Sequence, residues 1–341
     1  MAQGRVPVKI KLVTAIVAVG LLLLAGPAQA QDPIVINFSH VAAPDTPKGK
    51  AAEKFKELSE KYTDGKVRVE VHANSTLYKD KEELEALQVG AVQMLAPSLS
   101  KLGTMGVKEF EVFGIPYIVP DKAALHRVTD GALGKKLLRL LEAKGVIGLA
   151  YWDNGFKEIT ANKPLHMPAD IRGLRMRIQS SKVLEAQMRA LGAVPQVTTF
   201  ADTYQALLTG NVDGEENTPS NIFTQKLYEL QKFLMLSDHG YLGYAVITNK
   251  KFWDNLPADV RGQLEKATAE ATQYADDIAQ EENNAALQAM RASGKISVIE
   301  WTPQEKAAWR NALLPVYDEM AKRVGKATID EFVNAANGAT H

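Results

Sequence analysis

Cysteine is absent from all 341 residues. That excludes a disulfide framework, a cysteine nucleophile and lipid attachment at a cysteine. Histidine is scarce, with six residues and no two at ligand spacing, which argues against a dedicated zinc centre. An excess of either charge is lacking too, because 40 basic residues face 40 acidic ones. Nucleic-acid binders want a basic face, so that class is disfavoured. The chain carries no Gly-x-Ser-x-Gly elbow, no His-Glu-x-x-His pair and no phosphate loop, and Gly134-Lys135-Lys136 lacks the serine or threonine of a Walker motif. Adjacent carboxylates at Glu215-Glu216 could in principle do acid-base work, but such neighbours in a loop read as solvated. An enzyme is therefore not expected, and neither a metal nor a cofactor is implied.

Long apolar runs are limited to one, Leu12 to Ala25, preceded by Arg5, Lys9 and Lys11 and followed by the small-x-small pattern Ala28-Gln29-Ala30. This reads as a secretory signal peptide over residues 1–30, cleaved after Ala30. The run is short for a membrane span. The expectation is a protein free in the periplasm. Removing the leader takes away three bases and no acid, leaving 37 bases against 40 acids, a net charge of about −3. The remaining length is too great for one ordinary core and suggests two lobes.

Along the chain, periods of two and of 3.6 alternate. Strands are expected over Ile34–His40, Lys66–His72 and Ala91–Ala96. A helix opens at Asp45-Thr46-Pro47, and Asp80-Lys81-Glu82-Glu83 reads as a capping box opening another. A helical segment spans Asp121 to Ala143 before a strand, Val146 to Tyr151. Later come strands Val194–Thr198, Ala245–Thr248 and Ile296–Ile299. A helical pattern of unusual length runs from Pro257-Ala258-Asp259 to Ser293, with Gly294 as its stop and Glu281-Glu282-Asn283-Asn284 on its solvated face. This order implies an α/β fold with a mainly parallel sheet.

The most informative stretch is Pro168-Ala-Asp-Ile-Arg-Gly-Leu-Arg-Met-Arg177. After the turn at Gly173, Leu174, Met176 and Ile178 alternate with Arg175, Arg177 and Gln179, and Ser180-Ser181 then start a helix. A strand running into a helix places its end at the carboxyl edge of the sheet, where such folds bind ligands. Arg177 is at that edge, and its planar fork suits a carboxylate. On spacing alone it is also readable as a surface arginine.

This motif resembles the signature of the solute-binding proteins of tripartite ATP-independent periplasmic (TRAP) transporters, the DctP family, and the resemblance extends over nearly the whole mature chain. It implies a two-lobed periplasmic binding protein fold with a central cleft and a long helix spanning both lobes. Lobe I would hold residues 31–154 and about 243–282, lobe II residues 155–242 and about 283–336, with a tail at 337–341. By resemblance Arg177 clamps a ligand carboxylate, and Asn217, in Val212-Asp-Gly-Glu-Glu-Asn217, orients the ligand. Lys48, in the first helical turn, and Lys157 are candidates for a second carboxylate, and Phe200 for an apolar wall. His40, Tyr78, Asn154, His239 and Tyr241 fall in segments that the family places at or near the cleft. Thr46-Pro47-Lys48-Gly49, Ser75-Thr76-Leu77-Tyr78-Lys79-Asp80 and Ile178-Gln179-Ser180-Ser181-Lys182 resemble the branch that binds C4-dicarboxylates. The implied ligand is malate, succinate or fumarate, and the implied partners are the membrane subunits of a TRAP transporter, with a monomeric receptor. A receptor for a sugar acid or other monocarboxylate, or a periplasmic sensor component, is the alternative.

Overall fold

The computed structural model describes residues 1–4 and 32–338. The apolar run and cleavage point of the expected leader lie outside the described residues, as do the last three residues of the tail. Residues 34–338 form one compact unit.

In order, β1 (Ile34–Ser39), α1 (Pro47–Tyr62), β2 (Val67–His72), α2 (Glu83–Gln88) and β3 (Met94–Leu95) build a parallel wing in which β1 pairs with both β2 and β3. Next come α3 (Lys122–Thr129), α4 (Ala132–Leu140) and the long strand β4 (Val146–Ala161). A second parallel wing follows from β5 (Arg175–Ile178), α5 (Lys182–Ala190), β6 (Val194–Val197), α6 (Thr203–Leu208) and β7 (Gly214–Asn217), with β5 central. The chain continues through α7 (Pro219–Thr224), a second long strand β8 (Phe233–Asn249), α8 (Lys250–Asp254), α9 (Ala258–Ser293), β9 (Ser297–Glu300), α10 (Pro303–Met320) and α11 (Lys326–Ala336).

The nine strands of the described residues belong to one sheet, ordered β2-β1-β3-β8-β4-β7-β5-β6, with β9 beside β8. The expected parallel character holds within each wing. Between them β4 and β8 run antiparallel to each other, and to β7 and β3. These two strands extend far beyond the short ones read from the sequence, because Asp153, Asn154, Lys157 and Glu158 interrupt an apolar pattern while staying buried in the ladder. The helix expected over residues 121–143 is split at Asp130-Gly131.

Three register shifts bend the β4–β8 ribbon. At the middle one Gly155 has φ 131°, and a Cβ there would stand 2.7 Å from Asn283 Nδ2, so only glycine fits. Asn283 belongs to α9, a single helix of 36 residues that packs on both α1 and α7. At 1.5 Å per residue it is about 54 Å long, enough to span both lobes. Asn283 corrects the solvated reading of that face. It is buried, donates to the Asn154 carbonyl and accepts from Ser220 N at 2.9 Å, fastening the helix where the strands cross over. The product is a two-lobed α/β fold with a cleft between the wings.

Candidate functional site

β5 is short and lies between β6 and β7, so Arg177 points from a fully paired strand: its register neighbours are Gln196 and Glu215. The side chain is buried, donates through Nε to Thr198 O at 3.1 Å, and faces the Phe200 ring at 5.7 Å. Burial lowers the pKa of its guanidinium, with Asp80, Glu215 and Glu216 opposing the shift. Among the described residues no carboxylate forms a salt bridge with it.

From the other wing comes Lys48. Thr46 caps α1 by accepting from Gly49 N at 3.1 Å, which places Lys48 in the first turn with its stem inward. Its Nζ donates to Ala96 O at 3.2 Å and stands 4.0 Å from the Tyr244 ring centre. Burial pushes its pKa down to about 8 against the pull of Glu83. Again no carboxylate among the described residues forms a salt bridge with it.

Lys157 is different. Its Nζ is 2.6 Å from Glu216 Oε1, and the same carboxylate accepts from His239 Nε2 at 2.8 Å and Gln187 Nε2 at 3.0 Å. Burial would raise the Glu216 pKa, but Lys157 and His239 overcome it and hold the carboxyl well below its usual range. Opposite Lys157, a Cβ on Gly240 would stand 2.9 Å from Lys157 Cε, so glycine lets the lysine lie flat on β8. Beside Glu216, burial pushes Glu215 up to about 7 while Arg177 pulls the other way. Both glutamates are buried in β7, which corrects the reading of a solvated loop.

Asn217 ends β7. Its Oδ1 accepts from Asn221 Nδ2 at 2.8 Å and from Thr218 N at 3.1 Å, so the amide is locked in orientation. Lys48, Lys157, Arg177, Phe200 and Asn217 all line one cavity, with Asp80, Gln179, Tyr244 and others between them. Its walls come from both wings and from β8.

The remaining sequence candidates do not line that cavity. Tyr78 is half-buried at the edge of the larger core cluster. Asn154 is fully buried and donates to Thr218 Oγ1 at 2.9 Å. His239 stands behind Glu216, held on its other nitrogen by Ser237 Oγ at 2.7 Å. Tyr241 packs edge-on against Phe156. His40 stays neutral, its pKa pushed down to about 3 by burial and by Lys48.

Sequence reasoning missed Asp80, Gln179 and Tyr244. The sequence pattern makes Asp80 the start of a capping box, yet α2 begins at Glu83 with no side-chain cap. Its carboxylate turns instead to Lys101 Nζ at 2.6 Å and to Phe200 N at 2.6 Å. No local signal marks it, because Lys101 is 21 positions away and its burial, which makes it need an acid, comes only from the fold. Gln179 accepts from Ser98 Oγ and donates to Ser100 Oγ at 3.1 Å. Its place in the alternation after Arg177 put it on the same polar face.

The family model described as bacterial extracellular solute-binding protein, family 7, DctP, matches residues 38–323. The chain belongs to the DctP family. It is 66% identical over 308 residues to the C4-dicarboxylate-binding periplasmic protein DctP of Rhodobacter capsulatus, covering 90% of this chain and 92% of that protein. A TRAP periplasmic solute-binding protein from Shewanella oneidensis, solved with bound succinate, superposes with a TM-score of 0.87 at 40% identity, covering 89% of this chain and 99% of that one. Another from Pseudomonas aeruginosa, solved with bound L-malate, gives 0.82 at 42% identity over 84% of this chain and 100% of that one. The two-lobed architecture is thus that of the family's periplasmic binding proteins. Among the described residues of this DctP-family chain, no helix is long and apolar enough to cross a membrane, and no cluster of histidine and carboxylates could hold a metal ion.

Proposed function

We propose that this protein is the periplasmic receptor of a TRAP transporter, capturing a C4-dicarboxylate such as succinate, malate or fumarate and delivering it to the membrane subunits. One observation carries the reading. Of the cations lining the cavity, Arg177 and Lys48 have no carboxylate partner among the described residues, and they come from opposite wings. Two buried, unneutralised positive charges suit the two carboxylates of a diacid, and a ligand that bridges them favours the closed form. Arg177 takes one carboxylate through its fork and Lys48 the other. Lys157 supports the site indirectly, since Glu216 already occupies it. Asn217 fixes the ligand's orientation, and Phe200 provides the apolar wall.

The lobes we assign are 31–154 with about 243–282, and 155–242 with about 283–336, hinged where β4 and β8 cross. Secretion with cleavage after Ala30, and a monomeric receptor, complete the proposal. No catalytic role is assigned.

The test is a thermal-shift screen of the chain from Gln31 against C4 diacids, sugar acids and neutral sugars. Ligands that bind only the folded form raise the melting temperature. A rise with succinate or malate and none with neutral sugars is expected, and Lys48→Met should reduce it sharply for diacids. A response to sugar acids alone would overturn the substrate.

Affinity should also depend on pH. The dianion favours protonated Lys48, whose pKa is about 8. It also favours neutral Glu215, whose pKa is about 7. Both forms are lost as pH rises, so affinity falls between pH 7 and 9, where a C4 diacid stays fully ionised. Calorimetry across that range checks it, and Glu215→Gln should move the onset of the fall upward. A flat profile would contradict this picture of the two groups.

A further inference from the structure

β2 and β6 are the two ends of the sheet, yet the segments that follow them touch. Asp80, after β2, accepts a hydrogen bond from the backbone N–H of Phe200, after β6, at 2.6 Å. Its other oxygen accepts from Lys101 Nζ at 2.6 Å, and Lys101 also meets Glu83. Asp80 lines the cavity with its side chain 9% exposed, and Lys101 and Glu83 are buried behind it. Next to it the pair Lys79–Asp202 spans the same gap at 3.0 Å, but with both side chains about half exposed.

A carboxylate in an anion cavity is paradoxical as a ligand contact, because it repels the dianion that the two free cations attract. Its geometry gives it a different partner. Burial opposes its charge, but Lys101, the Phe200 amide and the field of Arg177 outweigh burial and hold the carboxyl at about 2, so it stays ionised. The amide it holds belongs to the residue whose ring faces the Arg177 guanidinium.

We propose that Asp80, anchored and neutralised by Lys101, is the positioning residue that ties lobe closure to capture. Resting on the receptor reading above, it accepts the Phe200 amide only when the wings meet, and so sets Phe200 and Arg177 around the ligand. With the wings apart, carboxylate and amide both face water and the bond is gone. A charge-assisted bond of this kind in a dry site is among the stronger hydrogen bonds. The solvated Lys79–Asp202 pair contributes little.

The experiment measures binding of succinate and of malate to wild type, Asp80→Ala, Asp80→Asn and Lys79→Ala by calorimetry and stopped flow. Asp80→Ala leaves Lys101 paired with Glu83, so the empty protein should fold, which its melting temperature checks. Both acids should weaken by the same factor, ~10–100-fold, through faster dissociation. Asp80→Asn should recover part of the loss, because its amide oxygen can still accept from Phe200 N. Lys79→Ala should stay within about threefold. An unchanged dissociation rate in Asp80→Ala overturns the proposal, and so does a loss confined to one acid, which would make Asp80 a ligand contact. A wild type that binds neither acid sinks the receptor reading instead.

Discussion

Arg177→Ala is expected to weaken capture of a C4 diacid by roughly two to four orders of magnitude. The figure follows from breaking a buried ion pair, about 3–5 kcal/mol at about 1.4 kcal/mol per tenfold. The loss is large because nothing else replaces the guanidinium. Lys157 is held by Glu216, and Lys48 lies on the opposite wing. The empty protein should behave differently. Among the described residues Arg177 makes one side-chain hydrogen bond, to Thr198 O, and its charge is already disfavoured by burial. Removing it relieves a desolvated charge and breaks no salt bridge among the described residues, so the melting temperature without ligand should move by only a few degrees. Arg177→Lys keeps the charge without the fork and should fall between the two. Calorimetry and a melt of the empty variant make both measurements. Near-wild-type affinity would remove Arg177 from the site.

Lys101→Met should have the largest effect on stability. Lys101 is buried between Asp80 and Glu83, both nearly inaccessible. Burial alone would lower its pKa, but the two acids reverse that and raise it. Without the ammonium two carboxylates are left in a dry site, at a cost of about 3–5 kcal/mol. For a chain of this size that corresponds to a melting temperature lower by on the order of 10 °C. The sign of the pH dependence follows. In wild type the Asp80 pKa, at about 2, is below its unfolded value, so its contribution is full above that value and lost only as pH falls toward 2. In the variant both acids prefer to be protonated when folded, so the penalty grows as pH rises and is smaller at pH 5 than at pH 8. Adding Asp80→Asn and Glu83→Gln should recover most of the loss. A variant as stable as wild type at pH 8 would show that Lys101 does not neutralise this pair.

The alternation of elements was legible in the sequence because it is local. Thr46-Pro47 caps α1, Gly294 ends α9 in the left-handed region, and the period of two after Gly173 marks β5. The lengths of β4 and β8 were not. Their middle residues are polar, and a run such as Asp153-Asn154-Gly155 looks like a loop until strands on both sides pair with it. Asp80 misled for a related reason. Its neighbours at 81–83 satisfy a capping pattern, while its partners, Lys101 and Phe200, are 21 and 120 positions away.

By itself the sequence determined that thiol chemistry is absent, that the fold is α/β with one very long helix, and that a DctP-type signature ends in Arg177. It also supplied the set of cations from which a site for an acid could be made. Only the tertiary structure decided which of those cations remain free. Lys48 and Lys157 are alike in a list of residues, but Lys157 meets Glu216, 59 positions away, and Lys48 meets a carbonyl and an aromatic ring. Local periodicity reports which face a side chain takes. Whether its charge is neutralised depends on a partner brought up from another strand, and at these short distances in a dry cleft that partner sets the charge a ligand meets.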